Sequence, residues 1–241
     1  MKLLLSTLIT ISTAFGASLK YKVYAPLFGE IGEVNIQYST TPKSYSIDAN
    51  LRTYGFAKTL SGNRAESYSS TGFIKNNNYY SNKFAQHLTY KNKKSYLEYV
   101  FDYKNKKVIK KRKKWVDGKI KTNYSKPLPY FTYNDLLNSY HNIVTNLKGK
   151  PAGVYRMKVA GMEKYGGDLL IKIPSKKVQQ KEAKSMKVDG GGWVFHIVTK
   201  KRILKSKSGE IIFVVGDDGI AKAVRVIDIP IVSYIDARLT N

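Results

Sequence analysis

Cysteine is absent from all 241 residues, which removes disulfides, thiolate nucleophiles and thiolate metal ligands. Acidic side chains are scarce: 17 Asp and Glu stand against 42 Lys and Arg, and so few carboxylates leave little material for a paired acid and base. Histidine is scarcer still. His87, His141 and His196 lie far apart in sequence, and none shows the spacing of a metal site. No Gly-x-Ser-x-Gly segment marks a serine hydrolase. The run Gly190-Gly191-Gly192 leads into an alternating segment rather than a helix, which argues against a phosphate cradle. Asp217-Asp218-Gly219 reads as a turn between apolar strands, since the later glutamate of a calcium loop is missing. The chain is therefore expected to be noncatalytic and to need no metal or organic cofactor.

Long apolar runs are also lacking. The stretch from Leu3 to Ile11 falls short of the roughly 18 to 20 residues of a membrane span. With Lys2 before it and the small residues Ala14 and Gly16 after it, residues 1–16 read as a secretory signal cleaved before Ala17. The absence of cysteine excludes a lipid-anchored lipoprotein. The expectation is an exported, periplasmic protein forming a single β-rich domain over residues 17–241.

What the mature chain does have is alternation. Val34, Ile36 and Tyr38 share one face, as do Tyr45, Ile47, Ala49 and Leu51, and the segment Ser39 to Lys43 between them is a hairpin loop. The same period recurs in Phe84, Leu88 and Tyr90, then in Leu97, Tyr99, Phe101 and Tyr103. Later strands are expected at Val154 to Gly161, Asp168 to Ile173, Trp193 to Thr199, Glu210 to Val215, Ile220 to Asp228 and near Ile231 to Leu239. Lys176 to Lys187 reads as a polar loop or short helix. The principal helix is expected over about residues 132–147: Thr132 is placed as its N-cap, Leu136, Leu137, Tyr140, Ile143, Val144 and Leu147 fall at helical spacing, and Gly149 stands where a C-cap belongs. The fold class is mainly β, a curved antiparallel sheet or open barrel with this one helix packed on it.

Charge is the other positive feature, at a formal net value of +25. Lys104 to Lys121 holds ten Lys or Arg against the single Asp117, and Asp117-Gly118 marks a tight hairpin turn. This is a basic ribbon, with Lys110, Lys111, Arg112, Lys113 and Lys114 as the candidate anion-binding residues. Because alternate residues of a strand face opposite ways, about half of them can address one ligand. Outside the cytoplasm the polyanions such a surface draws in are anionic lipid head groups, lipopolysaccharide and acidic glycan rather than nucleic acid. A plainer alternative is that lysine serves here only as a solubilising residue. Several of the 19 tyrosines cluster beside the ribbon, where aromatic faces stack on sugars or meet cations.

The ordered landmarks resemble those of the exported bacterial proteins grouped as domain of unknown function 3108. They are Tyr24, the run Leu27-Phe28-Gly29-Glu30-Ile31-Gly32-Glu33-Val34, Ser70-Thr71-Gly72-Phe73-Ile74, Asn134-Asp135-Leu136-Leu137, and Asp218-Gly219 with Lys222, Pro230 and Ala237. The resemblance implies export and a curved antiparallel sheet; it brings no activity and no catalytic residues. The charge of the ribbon departs from what the resemblance implies.

Two functions are consistent with these features. In the first, a periplasmic carrier encloses an amphipathic or lipid-like anionic ligand in a groove lined by Leu137, Tyr140, Val144, Tyr99 and Phe101, and the ribbon holds the head group or makes peripheral membrane contact. In the second, an envelope interaction protein fills its barrel with its own side chains and binds acidic glycan or a protein partner through the ribbon. A solid core separates the second from the first.

Overall fold

The computed structural model describes residues 15–60, 63–163, 166–199 and 206–240. All but the last two residues of the segment read as a signal therefore lie outside the described residues. Among the described residues, one antiparallel sheet holds 14 strands. The first eight are β1 (Phe15–Ala25), β2 (Gly29–Thr40), β3 (Ser44–Thr53), β4 (Ala65–Lys75), β5 (Asn78–Tyr90), β6 (Lys93–Asp102), β7 (Lys107–Val116) and β8 (Lys119–Pro127). The remaining six are β9 (Gly153–Lys158), β10 (Asp168–Ile173), β11 (Trp193–Val198), β12 (Glu210–Val215), β13 (Ala221–Ile229) and β14 (Ser233–Leu239). Three helices accompany them: α1 (Gly55–Leu60), α2 (Asn138–Leu147) and α3 (Lys176–Ser185).

Strands consecutive in sequence pair with one another, except β8 and β9, and β1 closes on β14. The sheet is thus a cyclic meander opened at one seam in the middle of the chain. Side-chain alternation sets its inner face. Val34 lies opposite Leu51, Ile36 opposite Ala49 and Tyr38 opposite Ile47, and Phe84 pairs with Tyr99 in the fully buried centre. A flat sheet of this width would leave that face wet, so the sheet curls until its two edges approach.

The connection between β8 and β9 fills the seam. Tyr130 donates its hydroxyl to the Val159 carbonyl at 3.0 Å, Thr132 Oγ1 and Asn134 Nδ2 both donate to the Lys158 carbonyl at 2.6 and 3.0 Å, and the Ala160 amide donates to Asn134 O at 2.8 Å. These bonds satisfy backbone groups that an open edge would leave to solvent or to another chain. Thr132 is consequently no helix cap, which corrects the expected start of the helix. The cap is Asp135, whose Oδ1 accepts from the Leu137 and Asn138 amides at 2.7 and 3.0 Å. The C-terminal end agrees with expectation, with Gly149 at φ +85°.

Helix α2 crosses the inside of the curl rather than lying on one face of a sheet. Its apolar stripe, centred on the fully buried Ile143, packs on Leu169, Ile171 and Ile173 of β10 and on Phe195 and Val215. The opposite stripe is polar and equally buried. Asn138 donates to Tyr45 Oη, Tyr79 O and Tyr133 O, and Asn142 exchanges hydrogen bonds with both the amide and the carbonyl of Tyr79 at 2.8 Å each. Asp135 is fully buried; burial raises its pKa, against the opposing bonds from Ser70 Oγ at 2.6 Å and the two cap amides.

The segment Lys176 to Lys187 is helical as far as Ser185. Helix α3 covers the outer face of the second half of the sheet, where Ala183 and Met186 meet Val194, Ile212, Val214 and Ala223. Two strands went unassigned in the sequence. Strand β1 overlaps the end of the apolar leader pattern, and β4 turns Glu66, Ser70 and Gly72 inward, so neither of its faces reads as apolar. Gly72 is required there: a Cβ would collide with the Tyr80 carbonyl and the Tyr45 ring beside a β-bulge.

Leu137 packs on the aromatic clusters of β3, β5 and β6. Leu137→Ala is therefore expected to cost on the order of 2 to 5 kcal/mol in urea unfolding. Asp135→Ala orphans two cap amides and the Ser70 hydroxyl, and should cost about 2 to 4 kcal/mol by the same measurement.

Candidate anion-binding face

The ribbon forms as expected, with Asp117 and Gly118 at φ +50° and +73° in the turn between β7 and β8. Its register divides the five basic candidates. Lys110, Arg112 and Lys114 lie opposite Tyr99, Leu97 and Ser95 and take the inner face, whereas Lys111 and Lys113 lie opposite Glu98 and Tyr96 and take the outer one. Lys110 is spent on structure: its ammonium pairs with Glu163 at 3.0 Å across the seam, 5.6 Å from the Tyr99 ring centre, with only 12% of the side chain exposed. Tyr99 donates its hydroxyl to the same carboxylate. Arg112 has its Nε buried, with no partner among the described residues. The five candidates therefore do not form one site.

Of the five expected groove residues, Tyr99 and Phe101 are in the core, and Leu137, Tyr140 and Val144 are half-buried against it. Tyr99 and Phe101 are 1% and 6% exposed and join Leu137 around Phe84 and Val108. Tyr140 donates to Gly219 O at 2.9 Å, and Val144 packs with Ile143 on β10 and β11. They pack against each other and against the sheet instead of lining a groove.

The outer face of β5 to β8 has a different character. Reading across the strands, one row runs His87, Tyr96, Lys113, Asn123, and the next runs Thr89, Lys94, Trp115, Ile120. His87 and Tyr96 lie with ring centres 4.7 Å apart, and Lys113 Nζ stands 5.1 Å over Trp115. A shallow depression of about 490 Å³ lies among His87, Thr89, Lys94, Tyr96 and Trp115. In the row beyond, Glu98 takes ion pairs from Lys83 at 2.8 Å and Lys111 at 3.0 Å, and accepts from Tyr96 Oη. Burial opposes the charge on Glu98, but the hydrogen bonds from Lys83, Tyr96 and Lys111 overcome it and hold the carboxyl down at about 2. Burial and the same carboxylate push the Tyr96 phenol up to about 12. At neutral pH the face therefore carries Lys83, Lys94, Lys111 and Lys113 against one carboxylate, and Lys94 and Lys113 have no acidic partner among the described residues.

Sequence reasoning found Lys111 and Lys113 but missed Lys94, His87 and the role of Trp115. The register that assembles them comes from the turn between β6 and β7, which carries no Asn-Gly or Asp-Gly signal. A second depression, of about 510 Å³, lies beside Gly190, Gly191, Lys222 and Arg238. Its Lys222 and Arg238 are paired with Asp218 at 2.6 Å and Asp236 at 2.9 Å, and Asp189 and Asp217 line it beside Lys187, so it offers less to an anion.

The remaining histidines are structural. His141 stacks on Tyr79 at 3.7 Å and shares a hydrogen bond with Asn77 O. His196 is buried under α3, with Nδ1 at 2.6 Å from Glu210 and Nε2 at 2.8 Å from Glu182. The two carboxylates approach opposite ring nitrogens, so they do not converge on a metal, and no group of metal-ligating residues occurs among the described residues. No helix among the described residues is long and apolar enough to cross a membrane.

A barrel-like antiparallel protein, filled by its own helix and displaying cations and aromatics outside, is the class that this fold and face define. The chain belongs to the family described as protein of unknown function (DUF3108), whose model matches residues 20–219. Among solved structures it is similar to a β-barrel-like protein of domain of unknown function DUF1849 from Brucella abortus, at 9% identity and a TM-score of 0.53, over 95% of this chain and 98% of that one. At that identity the likeness shows the fold alone. No curated protein matches the chain.

The histidines give opposite pH signatures. Burial disfavours charge on His196, but the bonds to Glu210 and Glu182 outweigh it and raise the pKa above the usual 6.5. The stability this supplies is complete below pH 6.5 and is lost as pH rises through the raised value. Burial lowers the pKa of His141, against the pull of the Asn77 carbonyl, so its contribution is lost instead as pH falls below 6.5. Melting temperature should therefore decline on the alkaline side of pH 6.5. His196→Gln should flatten that limb and leave the acid limb intact; an unchanged alkaline limb would contradict the assignment.

Proposed function

We propose that this chain is a noncatalytic exported protein of the cell envelope that binds an acidic glycan on the outer face of β5 to β8. The observation that carries this reading is the interleaving of Trp115, Tyr96 and His87 with Lys94 and Lys113 on one accessible face. Aromatic faces stack on sugar rings, and ammonium groups beside them hold carboxylates or phosphates. The alternative, a carrier that encloses a lipid-like ligand, requires a cavity where Leu137, Tyr140, Val144, Tyr99 and Phe101 instead pack together, so the packing supports surface binding over enclosure.

Polygalacturonate, with neutral dextran as control, tests the reading. Trp193 is the second of the two tryptophans, and a Trp193→Phe background leaves Trp115 as the fluorescent reporter. Polygalacturonate should shift Trp115 emission, and the interaction should weaken with salt. In calorimetry with both tryptophans otherwise intact, Trp115→Ala or Lys94→Gln with Lys113→Gln should each weaken binding about tenfold, roughly 1.4 kcal/mol. Lys110→Gln should lower stability and leave binding unchanged. Equal binding of dextran, or no binding of polygalacturonate, would sink the proposal.

A further inference from the structure

The turns joining β1 to β2 and β13 to β14 are built alike. The first reads Ala25-Pro26-Leu27-Phe28-Gly29, the second Ile229-Pro230-Ile231-Val232-Ser233. In each, the residue after proline is left-handed: Leu27 has φ +73° and Ile231 has φ +78°. The Phe28 amide returns to Ala25 O at 3.2 Å, closing the first turn. This is the pattern of a type II turn, in which proline suits the first central position and glycine or asparagine the second. A leucine there is unusual, and a β-branched isoleucine is more strained still. Neither is buried in compensation, because Leu27 is 88% and Ile231 87% exposed.

The two tips sit side by side, since β1 and β14 are hydrogen-bonded neighbours. Beneath them Ala25, Ile229 and Val232 form a small apolar cluster with Ile31, so the tips rest on a packed base. The meander also brings the turns β3–β4, β5–β6 and β7–β8 to the same end of the sheet. Tyr54 and Ile120, two further exposed apolar or aromatic residues, lie on or beside those turns. So do the exposed Lys91, Lys93 and Lys119, and Lys207, whose amide donates to Asp228 O, lies near the tips. One end of the barrel thus carries strained apolar tips with these ammonium groups on the turns of the same end, in excess of the acids Asp117 and Asp228 and of Glu30, which Lys22 already pairs.

We infer that this end docks on an anionic lipid surface, with Leu27 and Ile231 entering the head-group and acyl boundary and the surrounding lysines meeting lipid phosphates. The charge selects the occupant. A second copy of so basic a chain would bring like charges together, whereas an anionic membrane complements them and accepts apolar tips. The contact is distinct from the glycan face, and either can fail without the other.

The test is cosedimentation with vesicles of phosphatidylcholine alone or of phosphatidylcholine mixed with phosphatidylglycerol. The N-terminus of the protein is first read by mass spectrometry, so that binding through an apolar leader is excluded. The wild type should bind the mixed vesicles and not the zwitterionic ones. Leu27→Asn with Ile231→Asn should weaken that binding by about tenfold or more. Asparagine tolerates positive φ, so the melting temperature of the double variant should hold or rise, which separates lost docking from lost folding. Trp115→Ala should retain vesicle binding. Undiminished binding by the double variant, or no binding by the wild type, overturns the inference. A wild-type dimer in sedimentation velocity that the double variant abolishes would also overturn it, by assigning the tips to a second copy.

Discussion

Closure of the seam between β8 and β9 is the constraint on which the rest of the structure depends. A meander that pairs its first strand with its last has no free edge at its termini, so both edges occur where the chain leaves β8 and returns in β9. Pairing those edges directly would have sealed a wide barrel around an interior too large for side chains alone to fill. The chain instead places the connection itself in the gap. Tyr130, Thr132 and Asn134 bond the β9 edge, and α2 then enters the curl. Across the same seam, Glu163 draws together Lys110 of β7 and Tyr99 of β6.

This solution dictates the character of α2. A helix lying on a sheet needs one apolar stripe, but α2, inside the curl, is buried on a second side as well, at Asn138 and Asn142. Its second side meets β3 to β5, where Tyr79 presents both its amide and its carbonyl inward near a β-bulge. Apolar residues there would strand those groups at a cost of roughly 1 to 3 kcal/mol each. Asn138 and Asn142 satisfy them, while Asp135 caps the helix and takes the Ser70 hydroxyl. Such a network holds the helix in one position and orientation more strictly than apolar contact would. It also occupies the inside of the curl.

The sequence was legible where one face is dry and the other wet. The strands from Val34 to Leu51 and from Phe84 to Tyr103 alternate because their inner residues are mostly aromatic or aliphatic, with tyrosine hydroxyls rather than charged groups meeting the buried polar partners. Legibility failed where polar groups are buried. Strand β4 turns Glu66, Tyr68 and Ser70 inward, so its hydropathy profile resembles a loop. Thr132 looked like a cap because threonine followed at three residues by an acid is a capping pattern, yet Thr132 and Asn134 donate to the Lys158 carbonyl on a strand distant in sequence. Of the candidate site, the charge and the turn at Asp117-Gly118 were readable. The division of its lysines between two faces followed from alternation, but which aromatic residues stand beside them depended on a register set at the other end of the hairpin.

The net charge of +25 overstates what any ligand meets, and the scarcity of acids explains why. The acids are concentrated at junctions: Glu163 across the seam, Glu98 between Lys83 and Lys111, Glu182 and Glu210 on the two sides of His196, Asp236 between Arg225 and Arg238, and Asp135 at the helix start. Most of them neutralise or order groups that are themselves partly or wholly buried. Exposed ion pairs contribute little to stability, so surplus lysines on the outer strands gain little by finding partners and lose little by lacking them. An unpartnered ammonium on a rigid strand is, however, already placed for an anion, because the sheet has borne the entropic cost of fixing its backbone. The excess of lysine over acid thus leaves unpaired ammonium groups beside aromatic faces where register sets them there, as it does for Lys94 and Lys113 next to Trp115 and Tyr96.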